Sequence, residues 1–319
     1  MSALSDLQVT VVGLGLMGAS LAGALRGKCR VVNGVARRNE TAAEALARGL
    51  LDRASTDLAA GVRDADVVVL ATPVRTIMRL VDELGPLLPA GCVLMDLGST
   101  KAQITEHMAQ LPATVEPLGA HPMCGRESSG LAAADPALYQ GCLFVLSPLA
   151  RTSPETLSVG QALVRAVGGR PLVLDAQRHD RLVATASHLP YLLACVLVAA
   201  AERAAAQDAA LWPLCASGFR DTSRLAACDV TMMLDILLTN RPAVLAALDT
   251  AGRELLALSE LLTAADEDGL RTALSACRAR RQPMFQTGAH TQAACIRAEA
   301  TSEGHSGGTS GRQEEEPGS

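Results

Sequence analysis

Aromatic side chains are scarce in this chain: of 319 residues, three are phenylalanine, two tyrosine and one tryptophan. Hydrophobic residues still make up 49 % of it, so alanine, leucine and valine must fill the core. The nine cysteines form no CxxC pair and are odd in number. That removes the usual zinc spacing, so no metal is expected, and the reading is reduced thiols in a cytoplasmic protein. Strong positive charge is missing too. A net charge of −5 argues against nucleic acid as the partner. The apolar stretch at residues 9–25 has no basic residue before it and carries patterned glycines, which fits a strand-turn-helix better than a signal peptide. The longest later apolar run, residues 191–201, is well short of the ~20 needed to span a bilayer, so no membrane partner is expected.

What is present is an alternation. β-Branched runs at residues 9–12, 30–35, 66–71, 92–96, 115–120, 142–147 and 172–174 read as strands, with helical stretches between them. This is the pattern of a doubly wound parallel α/β sheet of Rossmann type, assigned here to a dinucleotide-binding domain at residues 1–175. Residues 176–285 are rich in alanine and leucine and poor in strand formers, and read as an all-helical domain. Its apolar surface exceeds what one small domain buries, which predicts a homodimer. Residues 286–319, rich in glycine, serine, threonine and glutamate, read as a disordered tail.

The segment VTVVGLGLMGASLAGAL sets Gly13, Gly15 and Gly18 directly after a strand and at the opening of a helix. In a dinucleotide site the first glycine makes the tight turn, the second admits the pyrophosphate, and the third lets helix and strand pack closely. Leu14, Leu16 and Met17 lie between them, where backbone N–H groups at the helix start face the phosphates. The second strand ends in Ala36, Arg37 and Arg38, with no acidic residue to hold a ribose 2′-hydroxyl. A small residue and two guanidinium groups suit a 2′-phosphate, which predicts NADP, with NAD as the alternative. Thr72 and Pro73, after the 66–71 strand, are expected to line the path from ribose to nicotinamide.

Ligands of this fold sit at the carboxyl ends of the strands. Ser99 and Lys101 in DLGSTK fall there, as does His121 in GAHPMCGRESSG. Pro122 holds His121 extended, in a position to take a hydroxyl proton as hydride leaves the same carbon. The helical half adds His188 in SHLPYLLA, and Arg220, Asp221 and Arg224 in SGFRDTSRLA. One arginine of the two suits a substrate carboxylate, and the other can be tied to Asp221.

GLGLMGAS, DLGSTK, HPMCGRESSG, SHLPYLLA and SGFRDTSRLA, in this order, resemble the prephenate/arogenate dehydrogenases of tyrosine biosynthesis, over about residues 8–285. The resemblance implies a Rossmann domain followed by a helical dimerisation domain, and oxidative decarboxylation of arogenate or prephenate. By motif, His121 is the catalytic histidine on the C4 hydroxyl and Ser99 assists that hydroxyl and the nicotinamide. Arg224 binds a substrate carboxylate, and His188 borders the substrate. Two positions depart from the family pattern. Tyr191 stands where some prephenate-using members have a second histidine, and Met233 about where a tryptophan is common. Glu127, six residues after His121, would pair with the amine of arogenate; its alternatives are a tie to Arg126 or a helix cap. The rival readings are a prephenate-specific NAD-dependent enzyme, a β-hydroxyacid dehydrogenase and a non-enzymatic NADP-sensing regulator. The β-hydroxyacid enzymes use a lysine in the second domain, whereas the only lysines here are Lys28 and Lys101. The regulator has no use for His121 and Arg224 together.

Overall fold

All five positions of QVTVV, β1 (Gln8–Val12), are buried, as expected of a central strand covered on both faces. The structure, a computed structural model, describes residues 3–125 and 129–284. Around β1 lie β2 (Val31–Val35), β3 (Arg53–Ser55), β4 (Val67–Leu70), β5 (Val93–Asp96), β6 (Glu116–Pro122), β7 (Leu143–Pro148) and β8 (Arg170–Val173). They form one sheet in the order β3-β2-β1-β4-β5-β6-β7-β8. Helices α1 (Leu16–Leu25), α2 (Asn39–Ala47), α3 (Leu58–Val62), α4 (Val74–Leu84), α5 (Ala102–Ala109) and α6 (Pro154–Ala166) cover it. Leu21 and Leu25 of α1, Ala42 and Ala45 of α2 and Leu163 of α6 share one core cluster. Val62 of α3, Ile77 and Leu84 of α4 and Ile104 of α5 share the other. The sheet is therefore doubly wound, as expected.

Two features differ from the expected all-parallel sheet. β7 runs antiparallel to β6, with His121 opposite Val145. Among the described residues, only the single 3₁₀ turn Leu131–Ala133 lies between these strands, so no crossover helix carries the chain back to the far edge. It re-enters where it left, and the strand must reverse. α6 then makes a true crossover, and β8 is parallel to β7. The short edge strand β3, Arg-Ala-Ser, has no apolar alternation and was not predicted.

Beyond the sheet the described chain is helical: α7 (Ala176–Val183), α8 (Leu189–Ala205), α9 (Leu211–Leu214), α10 (Ser217–Ser223), α11 (Val230–Thr239), α12 (Arg241–Thr263) and α13 (Glu267–Met284). A π-helical turn, Ala184–His188, joins α7 to α8 just before Pro190. Proline lacks an N–H and its ring crowds the preceding turn, and a π turn accommodates both. The continuous helix Ala176–Ala205 is long and apolar enough in composition to cross a membrane, which the uninterrupted run 191–201 alone did not reveal. Its first turns, however, are fastened to the sheet half by buried polar groups described below.

The chain divides into two compact units, Met1–Thr250 and Ala251–Ser319. Helices α7 to α11 thus share one unit with the sheet. In the second unit, Ala265 adopts a positive φ of 51° before α13. The Asp266 carboxylate there accepts a hydrogen bond from Gly269 N–H at 2.9 Å. The tail assigned to residues 286–319 lies outside the described residues.

Candidate active site

The carboxyl ends of β1 to β6 form one edge of the sheet, and the glycine loop opens it. Gly13 has φ +100°, and a side chain there would meet Ala71 O and Thr72 Cγ2 at 2.7 Å. A Cβ on Gly18 would lie 1.9 Å from Gly13 O, so α1 can pack this closely only on a glycine. At Gly15 a Cβ meets nothing within 4 Å; the backbone borders open space. Leu14 and Leu16 point into the core, and Met17 O accepts the Tyr139 hydroxyl at 2.7 Å, which ties α1 to the β7 approach. Gly15 caps α1 without a side-chain bond, leaving that helix end open. Beside the loop, the buried Thr72 Oγ1 has no partner among the described residues. Pro73 is exposed at the start of α4. An open glycine cradle and an orphaned hydroxyl fit a dinucleotide.

At the end of β2, Ala36 is buried and Arg37 and Arg38 are exposed. Among the described residues none engages either guanidinium, so both are available to an anion.

His121 is the penultimate residue of β6 and is half-buried. Its Nδ1 lies 2.8 Å from Nε2 of His179 in α7. The two rings meet edge to face, with centroids 5.1 Å apart. His179 Nδ1 in turn lies 2.8 Å from Asp180 Oδ1. Asp180 accepts two backbone bonds as well, from Lys101 N at 2.7 Å and Ala102 N at 2.9 Å, at the N-terminus of α5. Asn240 donates to the backbone oxygen of Asp180 at 2.7 Å and to His188 Nδ1 at 3.3 Å. Burial pushes His121 well below the ordinary histidine range, and the charges of His179, Lys101 and His188 add to the effect. His188 is fully buried, and burial brings it down to about 4. Both rings are neutral at physiological pH, the form that can accept a proton.

Lys101 is fully buried and does not reach the mouth. Its ammonium folds back onto the equally buried Asp96, at the end of β5. Asp96 also accepts Gly98 N at 2.7 Å and Ala120 N at 3.0 Å, so the pair ties β5 to β6 directly below His121. Burial raises the Asp96 carboxyl and lowers the Lys101 amine, each against the attraction of the other. Ser99 is half-buried in the loop after β5.

Of the two candidate arginines, Arg220 pairs with Asp221 at 3.2 Å on the surface. Arg224 is exposed at the head of the 3₁₀ turn Arg224–Ala227 that follows α10. Tyr191, half-buried in α8, bonds Cys195, and burial together with that bond raises its hydroxyl above the ordinary range. Met233 is buried in α11. Glu127 and Arg126 lie outside the described residues.

His179, Asp180 and Asn240 were missed from sequence. The signal lies in the structure: on α7, His179, Asp180 and Val183 are buried while Arg178, Arg181 and Leu182 are exposed. Two ionisable residues on the apolar face of a helix mark a built polar site.

Residues 21–173 match the family model of the prephenate dehydrogenase nucleotide-binding domain, and residues 175–276 that of the prephenate dehydrogenase dimerization domain. The chain is 31 % identical to the prephenate dehydrogenase of Bacillus subtilis over 257 residues, covering 77 % of this chain and 68 % of the relative. Among solved structures, prephenate dehydrogenase from A. aeolicus, in complex with hydroxyphenyl propionate and NAD+, matches with a TM-score of 0.83 at 29 % identity. That match covers 89 % of this chain and all of the other. Synechocystis arogenate dehydrogenase matches with a TM-score of 0.77 at 30 % identity, over 87 % of this chain and 99 % of the other.

Proposed function

Because the chain belongs to the prephenate dehydrogenase family, we propose that it carries out the oxidative decarboxylation of arogenate to tyrosine, with prephenate as a second substrate and NADP as the preferred cofactor. The observation that carries this reading is His121, neutral at the sheet's carboxyl edge and on the same edge as an open glycine cradle. The bound nicotinamide supplies the acceptor for the C4 hydride. His121 takes the proton of the C4 hydroxyl, and Ser99 holds that hydroxyl in line. With C4 oxidised, the ring releases its C1 carboxylate as CO2 and becomes aromatic, which drives the reaction one way. The protein's work is to orient C4 and supply the base. The test is to add arogenate or prephenate with NADP or NAD and follow reduced cofactor at 340 nm. Failure of all four combinations would remove the proposal.

Arogenate is favoured over prephenate on two grounds. Glu127 supplies an anion for the amine, and Tyr191 stands where a second histidine could serve prephenate. His188, fully buried, acts from behind the substrate rather than on it. Arg224 takes the substrate carboxylate, the role its place in the family's motif implies. Arg224→Ala is expected to raise KM far more than it lowers kcat. A lost charged hydrogen bond costs on the order of 2–5 kcal/mol, mostly as binding. An unchanged KM in Arg224→Ala, with a raised one in Arg220→Ala, would move the role to Arg220.

The NADP preference rests on Arg37 and Arg38, which no described residue engages. Replacing both with glutamine is expected to raise KM for NADP at least about tenfold, as two charged hydrogen bonds to a phosphate are lost, and to leave NAD nearly unchanged. Preference of the native protein for NAD would place these arginines outside the site.

The dimer reading rests on the helical half, where Leu193, Val196, Leu234, Leu238 and Leu245 are each about half exposed in the single chain. A second copy would cover such a surface. Sedimentation of the native protein tests it.

A further inference from the structure

His121 can act as a base only if the nitrogen facing the substrate carries no proton. An imidazole has two nitrogens, and which one holds the proton is set by what the other one meets. Here the surroundings leave little choice. Asp180 receives two backbone N–H groups, from Lys101 and Ala102, and these can only donate. Its carboxylate is an acceptor on every side. His179 Nδ1, 2.8 Å from Asp180 Oδ1, must therefore be the donor of that bond. When His179 holds a single ring proton, the bond to Asp180 keeps that proton on Nδ1, so Nε2 is bare and must accept. The group 2.8 Å from it, His121 Nδ1, must donate. That puts the proton of His121 on Nδ1 and leaves Nε2 with its lone pair. No described residue bonds to that Nε2.

We propose that His179 and Asp180 are positioning residues for the reaction: through the chain Asp180–His179–His121 they hold the catalytic histidine as its Nδ1–H tautomer, with Nε2 presented to the substrate hydroxyl. The inference rests on the dehydrogenase reading for the identity of that hydroxyl, but the tautomer itself does not depend on it. In the reaction the substrate O–H bond breaks and an N–H bond forms at Nε2. The resulting imidazolium keeps its Nδ1–H bond to His179, which passes the stabilisation on to the Asp180 anion. The chain is built to stay fixed. Asp180 is clamped by the first turn of α5, and Asn240 holds the backbone oxygen of the same residue. The other charged or titratable groups around His121 are His188 on the π turn and the Lys101–Asp96 pair beneath it. None of these sits on the path from Asp180 to Nδ1.

The experiment uses the full chain labelled with 15N-histidine, at pH 8.5. Nitrogen chemical shifts distinguish a bare ring nitrogen from a protonated one. His121 of the native protein is expected to show a protonated Nδ1 and a bare Nε2. In His179→Leu the acceptor is gone. His121 should then shift toward the Nε2–H form, and kcat should fall at least about tenfold, toward the ~10⁴ that a wrong tautomer can cost a catalytic imidazole. Cofactor KM should not move. In His179→Gln the amide oxygen can stand where Nε2 stood, so the native tautomer and most of kcat should return. A native His121 protonated on Nε2 overturns the inference, as does a His179→Leu protein with unchanged tautomer and kcat. If His179→Leu does not fold, the native spectrum and His179→Gln still decide. Native protein that turns over neither cyclohexadienol sinks the functional reading alone, because the shifts are measured without substrate.

Discussion

His121→Asn is expected to lower kcat by about 10²–10⁴, the usual worth of a positioned general base, while cofactor affinity stays close to native. Asparagine suits this test because its amide nitrogen can stand where Nδ1 stood and still donate to His179, 2.8 Å away in the native site. What it lacks is a second nitrogen at the substrate side. The local architecture is kept and the base alone is removed. Calorimetric titration with NADP and NAD should show affinities within a few fold of native, while the 340 nm assay shows the loss of turnover. A variant with native kcat would mean that the hydroxyl proton leaves by another route, and His121 would lose its role.

The second large effect concerns stability. Lys101→Met is expected to cost about 3–5 kcal/mol, the usual penalty for leaving one member of a buried ion pair without the other. Asp96 would remain fully buried, with only the N–H groups of Gly98 and Ala120 against its charge. In a domain of this size that corresponds to a fall in melting temperature of roughly 10 °C. Asp96→Asn in the same background should recover part of the loss by removing the unpaired charge. Recovery stays incomplete, because one amide NH2 must then face a backbone N–H. Urea unfolding of the native, single and double variants measures all three. An unchanged midpoint in Lys101→Met would show that the pair contributes nothing.

Much of the fold was legible because its signals are local. Short β-branched runs mark strands, and three glycines at fixed spacing mark the turn that follows β1. His121 could be found because a rare residue sits beside a proline at the end of a strand. What escaped depends on long-range contacts. The direction of β7 follows from the lack of a described crossover helix between β6 and β7, which a strand list does not weigh. Lys101 was read at the mouth, since its position after β5 is correct; that its side chain turns back onto Asp96 depends on packing that no periodicity encodes. His179 and Asp180 looked like the charged start of a surface helix, QRHDRL. Only the burial of one side of that helix separates them from Arg178 and Arg181. The pairing of Arg220 with Asp221 on the surface is likewise a side-chain contact that the sequence left open between Arg220 and Arg224.

The carboxylates that fasten the helical half have a consequence for ligand placement. Helices α1, α4 and α5 are among those that begin at the sheet's carboxyl edge, and each helix carries partial positive charge there from its unpaired N–H groups. Asp180 neutralises the start of α5. Asp235, from α11, does the same for α4, accepting Arg75 N at 3.2 Å and pairing with the Arg75 side chain at 3.4 Å. α1 keeps its charge, since Gly15 offers no side chain to cancel it, and α2, after β2, likewise starts without a side-chain cap. The docking of the helical half therefore cancels two anion receptors of the edge, those of α4 and α5, and leaves those of α1 and α2. An anionic ligand is thereby directed toward the glycine loop and the end of β2, away from the starts of α4 and α5.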